Sequence, residues 1–135
     1  MTSRILVVDD DERQLRSFSR TLSLQEGWEV FTTSTADSAL TKTEELRPDL
    51  VILDCDLGGE RPEKDGFWVL RQLRKNALFK RLPVIFLTGA RVSVEDRVAG
   101  LDLTADDYIL KSADPEVIQI RVQAALDKDR EQYRA

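Results

Sequence analysis

Reactive side chains stand where short apolar runs end. Asp9 and Asp10 follow Ile5-Leu6-Val7-Val8, and Asp54 follows Leu50-Val51-Ile52-Leu53. Thr88 follows Val84-Ile85-Phe86-Leu87, and Lys111 follows Tyr108-Ile109-Leu110. The chain has no histidine and one cysteine, Cys55. That removes Ser-His-Asp and Cys-His catalysis, the usual zinc sites and an intramolecular disulfide. Any metal would have to be held by oxygen, which points to magnesium, calcium or manganese. Three carboxylates brought together repel one another and raise each other's pKa unless a cation intervenes. An octahedral magnesium ion that keeps several waters is the economical solution. A threonine hydroxyl can donate to a bound anion, and a lysine ammonium can neutralise an anion or a carboxylate. An isolated acid site needs neither. Together they suit a carboxylate nucleophile that receives a phosphoryl group, with metal and lysine neutralising its oxygens. Taken singly, each residue reads as readily as a cap or a solvated strand end. Their recurrence at four strand ends favours the joint reading.

The elements that must position them follow from periodicity. Five apolar runs without polar alternation predict five strands buried on both faces: Ile5–Val8, Trp28–Thr33, Asp49–Asp56, Leu82–Leu87 and Tyr108–Leu110. Helices are expected between them. Leu15, Phe18 and Leu22 share one face of the first, which an aspartate caps and Gly27 closes. Ser34 or Thr35 caps a second, with Ala36, Ala39, Leu40 and Thr43 inward. Gly66 leads into a third carrying Phe67, Leu70 and Leu73, and Val94, Val98 and Leu101 mark a weaker fourth. Asp114 and Pro115 open the last, with Val117, Ile118, Ile120, Val122, Ala125 and Leu126. Alternating strands and helices imply a doubly wound α/β domain with a parallel sheet. Right-handed crossovers put every strand's C-terminal end on one edge, where such sheets bind ligands. One domain over residues 1–126 is expected, with 127–135 as a polar helical tail or the start of a linker.

The 135 residues suffice for a real core, and 41% hydrophobic with 33% charged residues is a globular composition. A net charge of −5 disfavours bulk attraction to DNA or to anionic membrane. The first apolar run is too short for a signal peptide or a membrane span. A cytoplasmic protein with no membrane and no direct nucleic-acid contact is expected. Neither the dinucleotide fingerprint nor the P-loop spacing occurs.

The runs Ile5-Leu-Val-Val-Asp-Asp-Asp11, Asp49-Leu-Val-Ile-Leu-Asp54, Pro83-Val-Ile-Phe-Leu-Thr88 and Ala105-Asp-Asp-Tyr-Ile-Leu-Lys111 resemble, in order and over nearly the whole chain, receiver domains of the two-component response regulator family. The resemblance implies a flavodoxin-like five-stranded parallel sheet of order 2-1-3-4-5 with five helices. It implies Asp54 as phosphoacceptor and Mg2+ as the cofactor, with Mn2+ as an alternative. Asp10 would bind the metal directly, Asp9 mainly through water, and Asp56 through its backbone carbonyl. Thr88 would hydrogen-bond the phosphoryl oxygen, and Lys111 would form a salt bridge to it. Tyr108 occupies the place of the family's rotating aromatic switch; the plainer reading is a half-buried ring at a sheet edge.

The chain departs from the family pattern in places. Ser112 stands where a proline, commonly cis, usually follows the lysine, so a trans bond and a differently shaped loop are expected. Leu57-Gly58 replaces Met-Pro, and about four extra residues precede Asp65-Gly66 relative to the family spacing. The lengthened loop is expected to influence partner docking or the lifetime of the phosphoryl group. Asp56 adds a carboxylate there that would discourage or orient attacking water. Gly89 keeps the phosphate approach open, and Cys55 is expected to pack.

The leading expectation is a phosphorylation-dependent switch rather than an enzyme. Its phosphoryl group would come from a histidine kinase or phosphotransfer protein. The switched surface would be the fourth helix, fifth strand and last helix, which would pair with a second copy or an effector. Ala105-Asp-Asp-Tyr108 and Arg121 resemble receivers joined to winged-helix transcription factors, so the chain reads as a stand-alone receiver or a piece of a longer regulator. The alternatives are a receiver-like module that binds proteins without phosphorylation, and a magnesium-dependent phosphatase, for which no acid/base partner or capping domain is evident.

Overall fold

A computed structural model describes residues 2–59, 61–89 and 105–134. Strand β1 (Ser3–Val8) leads into α1 (Glu12–Ser23), β2 (Trp28–Thr33), α2 (Ala36–Leu46) and β3 (Leu50–Asp54). Then come α3 (Gly66–Lys75), β4 (Val84–Thr88), β5 (Asp107–Leu110) and α4 (Pro115–Arg134). The strands form one parallel sheet of order β2-β1-β3-β4-β5. This is the doubly wound, flavodoxin-like arrangement, with four helices among the described residues. The helix expected around Val94, Val98 and Leu101 lies outside them.

The apolar runs of β1, β3 and β4 form strands because both sides of each are covered, while the edge strands β2 and β5 are only partly buried. Leu6, Val8, Val51, Leu53, Val84 and Phe86 face one layer with Ala39, Phe67, Leu70 and Leu73 of α2 and α3. The alternate residues Ile5, Val7, Leu50, Ile52, Ile85 and Leu87 face the other, with Phe18, Leu22, Ile118 and Val122 of α1 and α4. Period-two alternation sends successive side chains to opposite faces, and here both faces are dry.

Element ends follow local hydrogen bonds. Asp11 caps α1, its Oδ1 accepting from the Arg13 and Gln14 N–H groups. Thr35 caps α2 in a capping box with Ser38, and Asp65 caps α3 through the Trp68 N–H. Three expectations need correction. Strand β4 covers Val84–Thr88, not Leu82–Leu87, so it starts after Pro83 and includes Thr88. Helix α1 stops at Ser23 with Leu24 as its cap, so Gly27 does not close it. Gly27, at φ 87°, makes the turn into β2, and its carbonyl accepts from Ser3 N–H at 2.7 Å. Strand β3 covers only Leu50–Asp54. Asp49 turns its carboxylate to the Arg4 N–H, and Asp56 N–H bonds the Asp54 side chain in place of a strand neighbour. Helix α4 carries the chain past residue 127 to Arg134.

Candidate functional site

The parallel register brings the ends of β1, β3, β4 and β5 to one edge of the sheet. Val8 pairs with Leu53, Asp54 with Leu87, and Thr88 with Leu110, so Asp9, Asp54, Thr88 and Lys111 all emerge there. Asp9 and Asp54 are buried and Asp10 is exposed. One carboxylate oxygen from each of the three lies within 4.8 Å of the others.

Among the described residues, Lys111 brings a cation into the acid cluster. Lys111 Nζ lies 3.1 Å from Asp54 Oδ1 and 3.8 Å from Asp9 Oδ2. Lys111 N–H donates to Thr88 O at 3.0 Å, which pins the base of the side chain to β4. Ala113 N–H donates to Leu110 O, closing a turn after the lysine without a proline. The described residues contain no cis peptide bond. The change to Ser112 therefore leaves Lys111 within reach of Asp54.

The two buried carboxylates differ in support. Asp54 Oδ1 also accepts the Asp56 N–H at 3.1 Å. Asp9 Oδ1 accepts the Asp11 N–H at 2.9 Å, but its Oδ2 is fully buried with no hydrogen-bond partner. Burial pushes the Asp9 carboxyl up to about 7, and the nearby Asp54 charge adds to the rise. The Asp11 N–H and the Lys111 charge oppose it. Burial would lower the Lys111 pKa, yet attraction to Asp54 and Asp9 outweighs it and holds the ammonium above its ordinary value. A buried carboxylate oxygen with no hydrogen-bond partner, beside two further carboxylates, fits a hard divalent cation.

Residues 5–123 match the response regulator receiver domain family. The chain belongs to this family. The receiver is 40% identical over 126 residues to the alkaline phosphatase synthesis transcriptional regulatory protein PhoP of Bacillus subtilis, covering 93% of this chain and 49% of that protein. It is 43% identical over 123 residues to the transcriptional regulatory protein PrrA of Mycobacterium tuberculosis, covering 91% and 49%. The receiver thus spans about half the length of the curated relatives it matches. A CheY-like receiver domain protein from Methanospirillum hungatei superposes with a TM-score of 0.83 at 32% identity, covering 98% of this chain and 99% of that one. The cluster of Asp9, Asp10, Asp54 and Lys111 matches a phosphorylation-competent receiver active site. Its architecture is that of a phosphoacceptor switch. No described helix is long and apolar enough to cross a membrane.

The remaining candidates take definite places. Thr88 is buried at the end of β4. The half-buried Tyr108 ring stacks on Phe86 at 6.2 Å, which in turn lies 5.1 Å from Phe67. Cys55 is buried in the core, and burial raises its thiol to about 11, which keeps it an unreactive packing residue at neutral pH. The exposed Asp56 sits in the turn after β3 and can supply an acid at the mouth of the site. Sequence reasoning missed Arg61 and Lys64. They line a cleft beside Asp10 that depends on contacts between the loop and α2, and the only signal was the presence of cations in a lengthened loop.

Proposed function

We propose that this receiver is a phosphorylation-controlled switch in which Asp54 accepts a phosphoryl group from a histidine kinase or phosphotransfer protein, with Mg2+ as the cofactor. The observation that carries the reading is the pairing of Asp54 Oδ1 with Lys111 Nζ at 3.1 Å beside the buried Asp9 Oδ2, which has no hydrogen-bond partner. A bound divalent cation would neutralise phosphoryl and carboxylate oxygens, with Asp10 and Asp54 as carboxylate ligands, Asp56 contributing its backbone carbonyl, and Asp9 acting mainly through water.

The protein's own groups divide the work. Asp54 supplies the nucleophilic oxygen, and burial shields the product from water. The Oδ–P bond forms as the P–N bond to the donor imidazole breaks, and the ring takes a proton as it leaves. Lys111 sits where it can follow the charge from the carboxylate to the phosphoryl oxygens. The Thr88 hydroxyl, at the end of the neighbouring strand, would donate to one of those oxygens. Its movement would free space for Tyr108, now stacked on Phe86, to turn inward.

The output surface is proposed on β5 and α4, together with the segment that precedes β5. Leu110, Val117 and Ile120 are exposed there, near the ion pair of Arg121 with Asp107 at 2.7 Å. Pairing of two copies through that face is the expected consequence of phosphorylation. The Bacillus subtilis and Mycobacterium tuberculosis relatives are transcriptional regulatory proteins about twice as long, which supports an attached output region as the thing switched.

The test is incubation with acetyl phosphate, with and without Mg2+, read by intact mass. An adduct of about 80 Da that requires the metal and vanishes in Asp54→Ala is the expected result. No adduct with any donor would overturn the reading.

A further inference from the structure

The extended segment between Asp54 and α3 builds a second feature beside the acid cluster. Arg61 N–H donates to Gly58 O at 2.7 Å, and Lys64 N–H donates to Arg61 O at 2.9 Å, so two tight turns follow one another. Gly58 has φ 144°, and a Cβ there would lie 3.0 Å from Arg61 O, so the first turn relies on glycine. Lys64 then clamps the loop to the start of α2. Its Nζ lies 3.0 and 3.2 Å from the two Asp37 carboxylate oxygens and 5.2 Å over the Trp68 ring. Between loop and helix lies a cavity of 380 Å³ bordered by Asp10, Ser34, Thr35, Gly59, Arg61 and Lys64.

The cavity adjoins the phosphoacceptor. Asp10 lines it and also groups its carboxylate with Asp9 and Asp54. The loop backbone passes close by, since a Cβ on Gly59 would lie 4.0 Å from Asp10 Oδ2. The two cations are not equivalent. Lys64 is neutralised by Asp37. The exposed Arg61 guanidinium has no ion pair or hydrogen bond among the described residues.

We propose that this cleft is a leaving-group subsite for small acyl phosphates, with Arg61 receiving the carboxylate that departs as Asp54 takes the phosphoryl group. The inference rests on the reading of Asp54 as phosphoacceptor. In the step, a bond forms from Asp54 Oδ to phosphorus and the acyl O–P bond breaks. Its electron pair stays on the departing carboxylate, and no proton moves. Negative charge therefore grows on an oxygen of the leaving group, where a preorganised cation is most effective. A guanidinium grips a carboxylate with two parallel N–H donors. A phosphoramidate behaves differently, because its nitrogen leaves by accepting a proton and builds no anion. Arg61 therefore separates donors by the charge of what leaves. The cavity volume is at the small end of ligand pockets, which suits a small anion better than a peptide segment.

The experiment compares phosphorylation rates with acetyl phosphate and with phosphoramidate, both with Mg2+, read by intact mass for wild type, Arg61→Ala and Arg61→Lys. For Arg61→Ala, kcat/KM with acetyl phosphate should fall about fivefold or more, as for loss of one charge-assisted contact. The phosphoramidate rate should stay within about twofold, and Arg61→Lys should recover part of the acetyl phosphate loss. Unchanged rates with both donors, or equal losses with both, would overturn the subsite and leave Asp54 as phosphoacceptor standing. A wild-type protein that takes no label from either donor overturns both.

Discussion

The Lys111 ammonium lies 3.1 Å from Oδ1 of Asp54, although the residue after the lysine is Ser112. The reach is set from the strand side. Lys111 N–H is tied to Thr88 O, and Ala113 N–H closes the turn onto Leu110 O. The lysine also approaches Asp9 at 3.8 Å, so one cation offsets two buried carboxylates.

Removing that cation should destabilise the metal-free protein. In Lys111→Ala, Asp9 and Asp54 face each other with no positive charge between them. Unpaired buried charge is expensive, and a loss of about 1–3 kcal/mol at neutral pH is expected. Urea unfolding in a chelator measures it. Added Mg2+ should recover part of the loss, since a divalent cation takes over the neutralising role.

The Asp9 carboxyl makes stability depend on pH in a defined direction. Its folded pKa is raised from 3.8 to about 7, chiefly by burial. Between those values the folded state keeps a proton that the unfolded chain has released. This group's contribution is therefore fully present below the unfolded value and is lost as pH rises through about 7. Asp9→Asn cannot ionise. In a chelator, the variant should gain stability relative to wild type between about pH 4.5 and about pH 8. Mg2+ competes with the same proton, so its stabilisation of wild type should grow over that interval. A wild-type-minus-variant difference independent of pH would contradict this.

Two glycines near the site should respond oppositely to alanine. A Cβ on Gly66 would lie 2.3 Å from Asp54 O and 2.8 Å from Cys55 Cα, both backbone atoms at the end of β3. Gly66 N–H bonds Cys55 O, so this close approach is how α3 is seated against the phosphoacceptor strand. Gly66→Ala should cost about 2–4 kcal/mol, as overpacking against rigid backbone does. At Gly89 a Cβ meets nothing within 4 Å, and Gly89→Ala should lie within about 0.5 kcal/mol of wild type. Thermal or urea unfolding of the two variants decides it.

The extent to which the sequence was legible varies with the range of the interactions. Strands β1, β3 and β4 were readable because burial on both faces demands uninterrupted apolar runs, and Val7, Ile52 and Ile85 are fully buried. Placing Asp9, Asp54, Thr88 and Lys111 on one edge followed from parallel topology alone. The end of β3 was less legible, because the Asp54 side chain captures the Asp56 N–H and turns the chain early. Gly27 was misplaced because α1 ends at Ser23, four residues before the glycine that turns the chain. The cleft at Arg61 was hidden for a different reason. It depends on Lys64 reaching Asp37 across 27 positions, a contact with no periodic signature. The burial of Asp9 Oδ2 without a hydrogen-bond partner was likewise illegible, because it arises from the packing of several elements and has no local pattern.

The chemistry of Asp54 is open to one direct measurement. An aspartyl phosphate is an acyl phosphate, and borohydride reduces it to the alcohol, homoserine. The protein is labelled by acetyl phosphate with Mg2+, reduced, digested and sequenced by mass. Homoserine at position 54, and aspartate retained at positions 9, 10 and 56, is the predicted result. Homoserine at another of these acids, or none in a protein that carries the adduct, would contradict the account.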